Sequence, residues 1–253
     1  MNAAMYSRLA RAEARKLLTT RALPIAFAAS VALTVISVVL DAMVAGKQGQ
    51  PPLGTDESTN QMLKFGAVPC LVMLILGIMS AGGEFRHRTI IPVLLATPKR
   101  GSVFAVKVAV VAVAGAAFSA VTFGLGLAAI VAELHAHGLH HLPGGTARLY
   151  AGTVLASTCL AMIGVALGAL TRNTLGAIVA VIAWTLLIEQ VILQTVVPGV
   201  EKWLPTAAAI TLTNAPLPGG HPLAASVAGL LLAGYAAALL AAAGATTLRR
   251  DIA

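Results

Sequence analysis

VAVVAVAGAAFSAVTFGLGLAAIVA, residues 108–132, decides the fold class, because its 25 consecutive residues carry no charged side chain. As a helix rising 1.5 Å per residue the run is about 37 Å long, enough to cross a hydrocarbon core of roughly 30 Å. Five further runs read the same way, over 22–45, 65–82, 150–170, 175–197 and 223–245. Together the six take up slightly over half of the 253 residues. A transmembrane barrel needs short strands of alternating polarity, which are missing here, so helix is the form that satisfies the backbone in lipid. The expected fold is an all-α membrane protein with six transmembrane helices.

The composition agrees: 58% of residues are apolar and 10% charged, with a mean hydropathy of +0.89. A soluble domain has about 25% charged residues. The formal charge of +8 would suit a nucleic-acid partner only if the basic residues formed one patch. They are parcelled out between apolar runs instead, so the partner they imply is the lipid bilayer and no nucleic acid is expected. With the N-terminus inside, 13 Lys and Arg fall in inner segments and four (Lys47, Lys64, Arg148 and Lys202) in outer ones. The positive-inside rule then places both termini in the cytoplasm. The first run is too long for the core of a signal peptide and reads as a retained span.

Residues 1–21 form a separate N-terminal unit ahead of the six-span domain at 22–253. From Met5 to Leu18 there is no Pro or Gly. At 100° per residue Arg8, Arg11 and Arg15 share one face, with Met5, Leu9 and Ala12 on a neighbouring one. Two readings stand: an amphipathic helix along the inner membrane surface, and a basic flank that sets topology and attracts anionic lipid.

The segment between spans two and three is longer than a simple reversal needs. It runs GGEFRHRTIIPVLLATPKRG over residues 82–101, with Lys107 at the mouth of the third span. Glycines break the incoming helix, and Pro98 with Gly101 closes the excursion. In between, Glu84, Arg86 and Arg88 stand beside Ile90, Ile91, Leu94 and Leu95, a pattern suited to a small element docking against a soluble partner. A positive-inside loop with an interfacial helix is the plainer alternative.

The run EFRHRTIIPVLLATPKRGSVFAVK, residues 84–107, resembles the signature of type-2 ABC exporter permeases. There an acidic residue, an aromatic, Arg, His and Thr precede a leucine pair, Thr-Pro, basic residues and a Lys. This chain has Arg88 where that family commonly has Gly. The basic N-terminal stretch, the six-span layout and Trp203-Leu204-Pro205-Thr206 before the last span fit the same resemblance. It implies a cytoplasmic coupling helix between spans two and three, with Glu84, Phe85, Arg86, His87, Arg88 and Thr89 as ATPase contacts and the N-terminal helix, through Arg8, Arg11 and Arg15, touching the ATPase too. It further implies ABC-type ATPase subunits as partners and a second permease copy or paralogue, as homodimer or heterodimer. The chain has no GxxxxGK[ST] loop, so it holds no nucleotide cofactor itself; ATP and Mg would sit on the partner ATPase.

Two acids fall inside apolar runs: Asp41 near the outer end of the first, and Glu189 in the fifth, followed by Gln190 and Gln194. Intramembrane acids are costly unless they face protein or water, so these four residues are candidates for the pathway or an outer gate. A span ending earlier would place the Glu189 group in external water. His135, His137, His140 and His141 beside Glu133 are weak candidates for a divalent metal, since neither cysteine nor fixed helical spacing supports them, and no metal is expected. Residues 198–222 read as a short hairpin or capping helices dipping into the outer interface, with Trp203 as an interfacial anchor. Cys70 and Cys159 lie within spans, where they act as small apolar residues. Gly164 and Gly168 form a GxxxG pattern that suits packing inside the bundle ahead of dimerisation.

Three function classes follow. The leading one is the permease of an ATP-driven exporter in a bacterial plasma membrane, not itself an enzyme. An intramembrane enzyme is opposed by the lack of paired Glu-Glu, of HxxxH or HxxxD within a span, and of GxSxG. An accessory or metal-handling membrane protein would use the histidine segment.

Overall fold

The computed structural model describes residues 3–47, 49–86, 100–139, 142–193, 200–213 and 223–249. Within them the chain is helical: α1 (Ala3–Thr19), α2 (Ala22–Val44), α3 (Asp56–Met62), α4 (Ala67–Arg86), α5 (Arg100–Ala136), α6 (Thr146–Thr171), α7 (Thr174–Ala183), α8 (Pro205–Leu212) and α9 (Ala225–Arg249). A 3-10 turn, Leu63–Gly66, joins α3 to α4, and α7 continues as a π-helix, Trp184–Leu193.

Among the described residues five helical stretches are long and apolar enough to cross a membrane: Ala22–Val44, Asp56–Glu84, Gly101–Ala136, Thr146–Thr171 and Ala225–Thr246. Each contains or closely matches an apolar run of the sequence. The expected sixth, 175–197, keeps its helical course from Thr174 to Leu193, but a change from α to π geometry at Trp184 divides it. Residues 194–197 lie outside the described residues. Local chemistry sets several of the other ends. Thr55 caps α3, its Oγ1 accepting from the Ser58 N–H at 3.2 Å, and Asn173 caps α7 by accepting from the Gly176 N–H at 3.0 Å. Arg172, left-handed at φ 52°, ends α6 just before that cap.

The bundle is organised around α6. In its most apolar stretch 67% of residues are buried by protein, against 17% for α2, so most of α2 is left for lipid or for another chain. Small residues let α6 approach α4 at backbone distance. A Cβ on Gly164 would meet the Leu74 carbonyl, one on Gly168 the Ile78 carbonyl, and one on Gly77 the Ala161 carbonyl. The GxxxG pair is therefore spent on packing within this chain.

Leu212 of α8 lies against Gly152 of α6, and Ala208, Ala209 and Leu212 share a buried cluster with Cys70, Cys159 and Leu232. The Tyr235 hydroxyl, ten residues along α9, donates to the Trp203 carbonyl at 3.2 Å. The contact ties Trp203 to α9. The segment 200–213 is thus held against α6 and α9, with one face of α8 buried and Trp203 48% exposed.

Candidate functional site

At 100° per residue Glu13 falls roughly opposite Arg8, Arg11 and Arg15 on α1. The structure follows that division: the three arginines are exposed, Met5, Leu9, Lys16 and Leu17 are partly buried, and Glu13 is only 6% exposed. Ala12, expected on the apolar face, is exposed. A carboxylate on the inward face of an amphipathic helix has to find cations, and it finds two.

Lys16, one turn along α1, donates to Glu13 Oε1 at 2.5 Å. Lys107, from the early turns of α5, donates to Glu13 Oε2, also at 2.5 Å. Both ammonium groups then reach Glu84 Oε1 near the end of α4, Lys16 at 2.8 Å and Lys107 at 2.9 Å. The four side chains close a ring in which each acid touches two bases and each base two acids. Lys107 is 5% exposed, the Glu84 side chain 12% and the Lys16 side chain 41%, so Lys16 is the member that faces water.

The electrostatics follow from this arrangement. Burial by itself would raise the Glu13 carboxyl, but Lys107 and Lys16 together outweigh it and hold Glu13 below the usual carboxylate range. Burial would lower Lys16, but hydrogen bonds to Glu13 and Glu84 raise it above the ordinary lysine value. Alternating charges on three helices, each with its hydrogen bonds made, is the arrangement that lets ions persist away from water.

A cavity of about 510 Å³ opens beside the ring, between α1, the start of α2, α4, α5 and Thr174 of α7, with walls that include Leu17, Leu23, Met73, Leu76, Met79 and Val111. Ring and cavity lie at the end of the bundle where α4 runs out and α5 begins. Of the residues expected to contact an ATPase, Glu84 is in the ring; Phe85 and Arg86 close α4, which runs on through Gly82 and Gly83 where the sequence predicts a break. His87, Arg88 and Thr89, and with them the expected coupling helix, lie outside the described residues.

The acids within the apolar runs are not brought together. Asp41 is exposed on α2, within electrostatic reach of Lys64. Glu189 is 4% exposed, and its Oε1 accepts from the Trp184 indole N–H at 2.6 Å. The Thr206 hydroxyl, in the first turn of α8, also donates to it. The π geometry makes the first contact, because residues five apart stack in a π-helix but lie about 140° apart around an α-helix. Gln190 is in the same π-helical stretch, and Gln194 lies outside the described residues. His137 is exposed, with Nδ1 3.0 Å from the Glu133 backbone carbonyl, and His135 is exposed nearby. His140 and His141 lie outside the described residues. Among the described residues no group of three or more His, Cys, Asp or Glu is placed to hold a metal.

Sequence reasoning named Glu84 and Lys107 but missed Glu13 and Lys16. The available signal was an acid on the inward face of a basic helix, with a lysine one turn away.

Apolar spans around one central helix, with a paired-charge cluster at one end, define a multi-pass helical membrane protein. Residues 9–188 match the model of the ABC-2 family transporter protein, which is well over half of the chain. The protein belongs to that family, the membrane component of ABC transporters, and is a transport permease. No curated protein matches the chain.

Proposed function

We propose that this chain is half of the translocation pathway of an ATP-driven exporter, worked by separate ATPase subunits that grip the segment 87–99. The observation that carries the reading is the ring: Glu84 and Lys107 flank that segment in sequence, and α1 binds both. Arg8, Arg11 and Arg15, exposed on the far face of α1, are free to meet an acidic surface or anionic lipid. Arg86 and Arg88 offer guanidinium groups that hold partner carboxylates through two hydrogen bonds.

In this reading the ring end faces the cytoplasm of a bacterium, both termini lie there, and ATP with Mg2+ is held by the partner. The weakly covered α2 meets a second permease chain, identical or paralogous. Asp41 and Glu189 stand towards the opposite face, where the contact of Glu189 with Thr206 ties the fifth span to α8 and serves as part of an outer gate, to which Gln190 and Gln194 belong by their place in the sequence. The test is co-purification from the native membrane. A Walker-type ATPase should accompany the wild-type chain and be lost on charge reversal at Arg86; a chain that transports without any hydrolysing companion refutes the reading.

A further inference from the structure

We propose that the ring makes α1 a clamp that fixes the two ends of the segment 87–99 relative to each other, so that Glu13, Lys16, Glu84 and Lys107 position the coupling segment rather than contact the ATPase. This rests on the permease reading above and revises the ATPase-contact part that the sequence resemblance implies for Glu84.

Three observations lead to it. Glu84 lies three residues before the segment and Lys107 eight after it, and the 2.9 Å contact between them ties the chain leaving α4 to the chain starting α5. Glu13 and Lys16, one turn apart on α1, each bridge to that pair, so α1 braces the junction from outside. Glu84 is also already committed: its Oε1 takes both ammonium groups, and two acids with two bases leave no net charge to offer a partner. A partner cation would have to compete with the two ammonium groups that Glu84 already holds.

The cavity strengthens the case. Beside the ring, apolar packing between α1 and α4 is incomplete, so directional ion pairs in a setting of low polarity hold the joint. The exposed arginines lie on the opposite face of α1, which leaves one helix with an inward bracing face and an outward contact face.

Ring topology supplies a sharp test. Reversing one member, or exchanging one neighbouring pair, places like charges side by side. Only the fourfold inversion Glu13→Lys, Lys16→Glu, Glu84→Lys and Lys107→Glu keeps all four attractions. Spin labels at Ala12→Cys and Ala105→Cys, both exposed sites, report the docking of α1 on α5 in the full chain, alone and in the co-purified ATPase complex. Lys107→Glu should broaden and lengthen the distance distribution and lower ATP hydrolysis by the complex by about 2- to 30-fold, the range of ordinary coupling energies. The fourfold inversion should restore both. The milder Glu13→Gln should loosen docking part-way, and serves where a reversal fails to fold. An unchanged distance in Lys107→Glu and Glu13→Gln overturns the clamp. So does a fourfold inversion that restores docking but not hydrolysis, because that makes the native charge of Glu84 or Lys107 a direct contact. If no ATPase accompanies the wild-type chain, the permease reading fails while the docking distances still decide whether α1 is clamped.

Discussion

The ring at Glu13 and the clasp at Glu189 both keep a carboxylate from water, by opposite means. Glu13 touches two ammonium groups on two helices; Glu189 accepts from an indole and a hydroxyl, both neutral. The ring depends on charge, most of all at Lys107, an ion whose own burial must be offset. Neutral donors can serve an oxygen acceptor of either charge. One site is therefore committed electrostatically, and the other is held by hydrogen-bond geometry and the π turn that creates it.

The largest break in that contrast should come from Lys107→Met. It leaves two largely buried carboxylates sharing Lys16, and loss of one partner from a buried ion pair costs about 3–5 kcal/mol. Thermal unfolding in detergent should show a clear fall in Tm; an unchanged Tm would mean that the ring carries no stability.

Acid should come next. Glu13 is depressed, so its contribution is complete above its ordinary pKa of about 4.3 and lost as pH falls through the lower folded value. Lys16 is raised, so its contribution is complete below its ordinary pKa of about 10.4 and lost as pH rises through the higher folded value. Docking of α1, read from the same label pair, should be flat between those limits and loosen outside them, Glu84 and Lys107 being the other charged members of the ring.

A smaller loss is expected for Glu189→Leu. It strands the Trp184 N–H and the Thr206 hydroxyl, at about 1–3 kcal/mol for a buried group. The low end applies because Trp184 is half exposed and can find other partners. The smallest effects, up to about 1 kcal/mol each, are expected for Lys16→Gln, whose ammonium faces water and is partly screened, and for Glu189→Gln, which keeps an oxygen acceptor in place. If Glu189→Gln proved as damaging as Lys107→Met, charge would matter at both sites and the contrast would dissolve.

Legibility in the sequence differed between these regions for physical reasons. Lipid imposes length and apolarity on a single stretch of chain, so α2, α5, α6 and α9 were readable as spans, as was the apolar part of α4. The fifth run was readable as apolar, but not its change to π geometry, which hydropathy does not encode. Glu84 and Lys107 stood out through the run they flank. Glu13 lay 94 residues from Lys107 in the chain, and only tertiary packing joins them. The docking of Trp203 and α8 was hidden for a similar reason: it follows from the Tyr235 contact and the tight fit of α8 on Gly152, not from local composition.

α5 has 37 residues, about 55 Å at 1.5 Å each, against a hydrocarbon layer of roughly 30 Å. Some 25 Å of it therefore stands clear of the lipid tails, counting both ends. It contains no proline, the commonest cause of a hinge in a helix. Lys107 near its foot and the buried Ile130 and Leu134 near its far end therefore ride on one continuous helix, so a shift at either end is carried to the other.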